Sequence, residues 1–173
     1  MNKSTRFILV IILVLTTVAA IAIFLNRDQV NRNKELTEEA LFVVMENGEE
    51  IITFDLSDLQ EIGQTDFVAT VNSSSSDPQT YTYTGVLMKD IYHYAGIDLA
   101  DREALVVTAA DGYVVAVDMN KFLDDDNVYL AYRQDGEWLK SREEGGSGPY
   151  MMIIRKDPFS QFWCKYAVSS DLR

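Results

Sequence analysis

The densest group of candidate ligand-binding side chains is the run of four serines at residues 73–76, which follows a predicted strand. Their hydroxyls can hydrogen-bond an organic ligand. A hydroxyl can also ligate a metal, but it is a far weaker acid than a thiol, and no Lys, Arg or His stands nearby to promote its ionisation. A polar loop without any ligand is the third interpretation. Ser73 and Ser74 are candidate ligand contacts, and the three interpretations stay open.

A second candidate site lies in the turn formed by Asp111, Gly112 and Tyr113. Asp and Gly favour a tight turn between two strands, and the tyrosine follows where its ring can lie under a flat heterocycle. The alternative is a plain turn followed by a core tyrosine. Asp111 and Tyr113 are therefore candidate ligand contacts.

A glycine-rich loop at residues 145–149 (GGSGP) precedes an apolar strand. Glycine lets backbone amides approach a ligand closely, which makes Gly146 and Ser147 candidate contacts, although the same residues suit a sharp turn without a ligand. Glu143 and Glu144 lie beside this loop and disfavour a phosphate group there. The loop thus favours a neutral or weakly charged ligand.

Two residues near the end of the chain complete the candidate site. Trp163 can wall a pocket, although a tryptophan before a strand also suits the core. An anionic substrate requires cations, and Lys165 and Arg155 are the candidates. Arg155 equally suits a solvated strand end, so Lys165 is the cation that we retain.

One cysteine and one histidine limit the catalytic chemistry of the chain. Cys164 alone forms no intramolecular disulfide and no multi-thiolate metal site, and strand alternation predicts it to be a small buried hydrophobe facing away from Trp163 and Lys165. Because His93 is the only histidine, metal sites with two histidines are excluded, and no Ser/His/Asp or Cys/His catalytic set can be proposed. We therefore predict no catalytic residue and no metal ligand.

An apolar segment at residues 7–25 (FILVIILVLTTVAAIAIFL) contains no charge and spans about 28 Å as a helix, which matches the hydrocarbon core of a bilayer. It predicts a transmembrane anchor within residues 1–26, a polar juxtamembrane linker at 27–40 and one domain at 41–173. A signal peptide cleaved at Ala20-Ile21-Ala22 is the alternative, but the apolar run extends past that point. Basic residues on both sides give weak support for a cytoplasmic N-terminus, so we expect a single-pass protein with an extracytoplasmic domain.

The formal net charge of −12 argues against nucleic acid or an anionic lipid surface as partner. The sequence identifies no protein partner. After the apolar segment, about 140 residues remain, which is enough for one domain with one core.

The domain is predicted to be α+β, with mostly antiparallel strands and a few short helices. Asn47-Gly48 predicts a tight hairpin between strands at 41–45 and 49–54, followed by a brief helix at 55–62. A strand at 67–72, a loop at 73–79 and a strand at 81–84 form a second hairpin. Apolar residues at helical spacing predict a helix over 86–95 that ends at Gly96. The remaining strands are predicted at residues 104–109, 113–117, 128–133, 150–155 and 165–169.

Four segments, in order and spacing, resemble the oxidoreductase molybdopterin-binding domain, which has the sulfite oxidase fold. They are residues 83–91 (YTGVLMKDI), 109–113 (AADGY), 145–150 (GGSGPY) and 162–165 (FWCK). The resemblance covers residues 41–171 and implies curved, mixed sheets around a pterin pocket. In catalytic members, a cysteine after the strand that precedes the first segment binds molybdenum. Residues 71–76 (VNSSSS) fill that place here, so the resemblance implies a pterin or molybdopterin site with molybdenum unlikely.

Three functions are compatible with this sequence. The first is a membrane-anchored, extracytoplasmic domain that binds a pterin-like small molecule without molybdenum catalysis. The second is an active molybdenum-cofactor-dependent oxidoreductase with a non-cysteine ligand, such as Ser73 or Ser74. The third is a ligand-free protein-interaction domain whose pocket is filled by its own aromatic side chains, Tyr81, Tyr83, Tyr113 and Trp163. We favour the first, because loss of one ligand removes the metal chemistry and leaves the pocket.

Overall fold

The computed structural model describes residues 3–74 and 76–173, and it divides into a first unit that ends at Glu35 and a second unit, Leu36–Arg173. Met1 and Asn2, in the predicted anchor, and Ser75, in the predicted serine loop, lie outside the described residues.

One long helix, α1 (Lys3–Glu38), contains the apolar segment and also most of the predicted linker. Residues 27–38 contain neither Gly nor Pro, so nothing interrupts the helix after the apolar run. It ends where Ala40 adopts a left-handed φ of 50° and the amide of Leu41 donates to the carbonyl of Leu36 at 2.8 Å. The helix is long and apolar enough to cross a bilayer, a property that signal sequences share.

The second unit is a mixed α+β domain, as predicted. Its strands are β1 (Phe42–Glu46), β2 (Glu49–Phe54), β3 (Thr65–Ser73), β4 (Ser76–Leu87), β5 (Ala104–Ala109), β6 (Val114–Asp118), β7 (Val128–Gln134), β8 (Glu137–Trp138), β9 (Met151–Ile154), β10 (Cys164–Lys165) and β11 (Ala167–Leu172). Its helices are α2 (Leu56–Gly63), α3 (Met88–Tyr94), α4 (Met119–Leu123) and a single 3-10 turn at Ser160–Phe162.

The strands form two sheets. The first has the order β2-β1-β11-β5-β6, and the second has the order β10-β9-β7-β4-β3, with β8 paired to β7. Strands β1 and β11 pair in parallel, and every other described pair is antiparallel. A single apolar cluster joins the two sheets and also includes buried residues of α2 and α3. This cluster is the main core, and the sheets face each other across it; a second, small cluster consists of Leu36, Val43 and Val168.

The hairpin between β3 and β4 is longer than predicted. Pairing continues to Ser73 and Ser76, so the predicted loop at 73–79 is wrong. The hydroxyls of Thr70 and Thr80 lie 2.9 Å apart across the ladder. Pro78 fits within β4 because it lies at the irregularity in the β3–β4 register, between the pairs Val71–Gln79 and Ser73–Ser76, and because β7 pairs only with the later part of β4.

Two other predicted elements have boundaries that differ from the structure by two residues or more, whereas the remaining ones differ by at most one residue at each end. Residues 86 and 87 belong to β4, and α3 begins only at Met88 and ends before Gly96, where φ is 73°. The predicted strand at 165–169 is broken at Tyr166, which has a φ of 56°. The break sends β10 to one sheet and β11 to the other, so Tyr166 is the point where the chain crosses between sheets.

Candidate functional site

A pocket of about 590 Å³ opens in the second unit. Strands of the second sheet, the β5–β6 turn, the glycine-rich loop and the chain around Tyr166 all contribute to it. Six of the eight predicted ligand contacts line this pocket: Ser73, Asp111, Tyr113, Ser147, Trp163 and Lys165. The sequence-predicted residues therefore come together in space, and their binding of a ligand stays a prediction.

The serine end of the β3–β4 hairpin forms one side of the pocket. Ser73 lines it, whereas Ser74 is exposed and does not. The segment 158–162, which we call the strap, is hydrogen-bonded to this end of the hairpin. Asn72 donates through its amide nitrogen to the carbonyl of Pro158 at 2.7 Å, and the Ser160 hydroxyl donates to the carbonyl of Asn72 at 3.0 Å. The strap thereby places Ser160 in the pocket wall.

The β5–β6 turn approaches the strap from the other sheet. Tyr113, which is 46% exposed, donates its hydroxyl to the carbonyl of Gln161 at 3.2 Å. Asp111 accepts a hydrogen bond from the amide of Tyr113 at 3.1 Å, and its other oxygen lies 3.3 Å from the guanidinium of Arg142. Both carboxylate oxygens of Asp111 thus have partners within the protein.

The glycine-rich loop is shaped by its contacts with the chain just before it. An added Cβ at Gly146 would lie 2.1 Å from the carbonyl oxygen of Lys140, so only glycine fits there. Gly146 is absent from the pocket wall, and Ser147 lines it. Tyr166 holds the loop through its hydroxyl, which donates to the carbonyl of Gly146 at 2.8 Å, and through its amide, which donates to the carbonyl of Ser147 at 3.0 Å.

Aromatic rings form much of the pocket wall. Trp163 is 7% exposed and donates its indole N–H to the carbonyl of Ile154 at 3.2 Å, so it is both a core and a wall residue. Its ring centroid lies 6.0 Å from that of Tyr83 with the planes 86° apart, and Tyr83 lies 6.2 Å from Tyr81. The four aromatic residues of the third predicted function, which include these three and Tyr113, line an open pocket and do not fill it.

The two predicted cations have different environments. Lys165 lines the pocket, and no carboxylate of the described residues lies within ion-pair distance of its ammonium group. Arg155 lies outside this pocket, donates through Nε to the carbonyl of Val68 at 3.0 Å and pairs with Asp126. Lys165 is therefore the cation available to a ligand in the pocket.

The thiol of Cys164 is separated from the pocket. The side chain is fully buried and is not part of the pocket wall, as strand alternation predicted. Burial, with a smaller contribution from Asp111, raises the pKa of this thiol to about 12, so it stays protonated near neutral pH. Among the described residues, no group of three or more His, Cys, Asp or Glu side chains is arranged to hold a metal.

Several wall residues were not predicted as ligand contacts. Tyr81 and Tyr83 were predicted only as fillers of the pocket, and Gln134, Met151, Ser160, Gln161 and Tyr166 were not predicted at all. Alternation in β4 places Tyr81 and Tyr83 on one face, which is a signal in the sequence. The strap and Tyr166 are held at the pocket by hydrogen bonds to residues distant in sequence, for which the sequence has no local signal.

Residues 28–147 match the family model described as the oxidoreductase molybdopterin binding domain. This chain belongs to that family. Its fold is similar to the crystal structure of the sulfane dehydrogenase SoxCD from Paracoccus pantotrophus, with a TM-score of 0.60 and 19% sequence identity. The similarity covers 76% of this chain and 38% of the SoxCD chain, so this chain spans about two fifths of that protein. No curated protein matches the sequence.

The family description implies a molybdenum-bearing pterin cofactor. The organic ring and the metal of such a cofactor make different demands on the wall residues. Flat aromatic walls and hydrogen-bonding groups suit a planar organic ring. The described wall contains no thiol that could ligate the metal, and the hydroxyls of its serines, Ser73, Ser147 and Ser160, are far weaker acids than a thiol. The described residues thus offer contacts to a pterin ring and no thiolate to a metal.

Proposed function

We propose that the domain binds a planar, pterin-like small molecule in this pocket and that it does so without molybdenum chemistry. One observation carries the proposal: the domain has an open pocket of about 590 Å³ with aromatic walls, and its wall has no thiol among the described residues. Membership of a family described as molybdopterin binding supports a pterin-like ligand. An interaction domain without a ligand would not need to keep this space open, since a closed core packs better.

The aromatic walls favour a flat ligand. Trp163 and Tyr83 are held nearly perpendicular to each other, and neither ring can turn without breaking buried contacts. A rigid wall of this kind loses little conformational entropy when a planar ring packs against it. We therefore expect a fused heterocycle of about the size of a pterin.

The charges in the wall favour a ligand with little net charge. Lys165 is available to a single anionic or acceptor group, while the carboxylate of Asp111 is already engaged by Arg142. A phosphorylated ligand usually requires several cations or a ring of backbone amides. Glu143 and Glu144 are exposed beside the loop and would oppose such a group.

We further propose that α1 anchors the protein in a membrane by a single pass, with the domain on the extracytoplasmic side. Its uncharged residues 7–25 support the anchor. Lys3 and Arg6 ahead of them give weak support to this orientation, because Arg27, Arg32 and Lys34 follow the segment. Carbonate extraction of membranes tests the anchor, and protease treatment of spheroplasts, which expose the outer face of the inner membrane, tests the orientation. Release by carbonate would contradict the anchor, and full protection of the domain in spheroplasts would contradict the orientation.

The decisive experiment is native purification of the full-length chain, in mild detergent, from a host that makes molybdenum cofactor. Mass spectrometry then identifies any organic ligand, and elemental analysis measures molybdenum. We expect a pterin-like compound without stoichiometric molybdenum. Stoichiometric molybdenum would contradict the proposal and favour an active oxidoreductase, whereas neither species would favour an interaction domain.

A matched pair of variants assigns the ligand to the pocket. Tyr113→Ala removes an exposed pocket tyrosine, and Tyr94→Ala removes an exposed tyrosine that is not part of the pocket. We expect Tyr113→Ala to lower the amount of co-purified ligand and Tyr94→Ala to retain it. Equal retention by both variants would place the ligand elsewhere.

A further inference from the structure

The pocket contains a buried tyrosine hydroxyl without a protein partner. Tyr83 lines the pocket and is 1% exposed, yet no group of the described residues makes a hydrogen bond with its hydroxyl. The other largely buried tyrosines behave differently: Tyr92 donates to the hydroxyl of Ser170 at 2.8 Å, and Tyr150 donates to the carbonyl of Ala40 at 2.6 Å. Buried tyrosine hydroxyls normally have a partner. Tyr83 is an exception, and a bound ligand could supply the missing hydrogen-bond partner.

A second observation shows that the Tyr83 hydroxyl borders open space. Among the described residues, Nε of Arg133 is the one side-chain nitrogen or oxygen that is both completely inaccessible and without a hydrogen-bond partner. The Tyr83 oxygen also lacks a partner, so it must retain some accessible surface. Because the residue is otherwise buried and lines the pocket, that open space is the pocket.

The ring that carries this hydroxyl is fixed in place. Phe67 stacks on Tyr83 with centroids 5.9 Å apart, and Trp163 and Tyr81 contact it edge to face. A hydroxyl on an immobilised ring can bind a ligand without a further loss of side-chain entropy. The hydroxyl oxygen therefore has a fixed position at which a ligand atom can bind.

The protonation state makes the group a donor. Burial raises the pKa of the Tyr83 hydroxyl, and Tyr81 and Asp135 act in the same direction, so the phenol stays neutral and retains its proton. Lys165, the other available group, has donors and no acceptor. The pocket therefore offers the ligand two hydrogen-bond donors, the hydroxyl of Tyr83 and the ammonium group of Lys165.

We infer that Tyr83 determines ligand specificity by donating a hydrogen bond to an acceptor in the plane of a heterocycle, such as a ring carbonyl oxygen or a ring nitrogen. This inference rests on the proposed function and narrows it to acceptor-bearing planar rings. Flat hydrocarbons and rings with only donors on their edge would leave the O–H proton of the phenol without an acceptor, although its oxygen could still accept from a donor.

The test compares two conservative variants of buried tyrosines, Tyr83→Phe and Tyr92→Phe, in the full-length chain in mild detergent. Affinity for pterin, 2-amino-4-oxopteridine, is measured by fluorescence titration, and stability by thermal unfolding. We expect Tyr83→Phe to weaken pterin binding about 5- to 10-fold without lowering the melting temperature, because only a ligand uses this hydroxyl. Tyr92→Phe should lower the melting temperature and leave the affinity unchanged, because its partner is Ser170.

The outcomes separate this inference from the proposed function. If the unmodified chain binds pterin and Tyr83→Phe binds it equally well, the inference is wrong and the proposed function stands. If Tyr83→Phe lowers the melting temperature as Tyr92→Phe does, the hydroxyl has a structural partner and the inference is also wrong. If the unmodified chain does not bind pterin, the proposed function fails and this inference fails with it.

Discussion

Replacing Gly146 by alanine tests why the glycine-rich loop contains glycine. The added Cβ would lie 2.1 Å from the carbonyl oxygen and 2.5 Å from the carbonyl carbon of Lys140, well inside van der Waals contact. The loop cannot move aside easily, because the amide of Gly146 donates to the carbonyl of Ser141 at 2.9 Å and that of Gly148 donates to the carbonyl of Lys140 at 2.8 Å. We therefore expect Gly146→Ala to be strongly destabilising.

The expected magnitude follows from overpacking, which typically costs 1–3 kcal/mol and here should reach about 3 kcal/mol because the neighbour is backbone. The folded unit has about 138 residues, so its entropy of unfolding is about 0.3 kcal/mol per degree and the melting temperature should fall by about 10 °C. Ser147 and Tyr166 are held by the same loop, so ligand affinity should fall with it.

Gly145→Ala is the matched control. Gly145 has open space around its Cβ position but a φ of 76°, so alanine there costs about 1 kcal/mol of backbone strain, or about 3 °C. Both variants are measured as full-length chains by near-ultraviolet circular dichroism during heating. A melting temperature for Gly146→Ala within 3 °C of the unmodified chain, or above that of Gly145→Ala, would refute the argument from close approach.

Two further predictions concern the thiol and an ion pair. Cys164 should react with a thiol reagent at least about 100-fold more slowly in the folded protein than in denaturant, because burial raises its pKa and blocks access; rapid labelling of the folded chain would contradict this. Asp126 has a lowered pKa, chiefly because the Tyr129 hydroxyl donates to it and secondarily because of Arg155. Its stabilising effect should be present above its usual pKa of 3.8 and be lost as the pH falls through the lowered pKa of the folded state. Asp126→Asn should therefore lower the melting temperature at pH 7, and the difference from the unmodified chain should shrink as the solution is acidified; a gap of equal size at neutral and acidic pH would contradict this.

Local sequence signals predicted those parts of the fold that depend on neighbouring residues. Asn47-Gly48 predicted the first hairpin correctly, because both residues adopt the positive φ that a tight turn needs. The serine run was interpreted as a loop because serine is common in loops. Cross-strand pairing from Thr70 and Thr80 onward overrides that preference and extends the hairpin to Ser73.

The rest of the site depends on contacts that are distant in sequence. The positive φ of Tyr166 is held by its hydrogen bonds to the glycine-rich loop, so nothing near Tyr166 predicts the break between β10 and β11. The need for glycine at position 146 comes from Lys140, not from a ligand. Tyr83 was predictable as an aromatic residue near the site, but its missing hydrogen-bond partner becomes visible only when all neighbours are known.

The central place of β11 in the first sheet has a consequence for biosynthesis. β1 pairs with one side of β11 in parallel, and β5 pairs with its other side. Both earlier strands therefore lack this partner until β11 is synthesised, roughly 120 residues after β1. Until then, each of them has an unpaired edge that can associate with other chains. The first sheet should therefore form late and slowly, only after β11 has been synthesised.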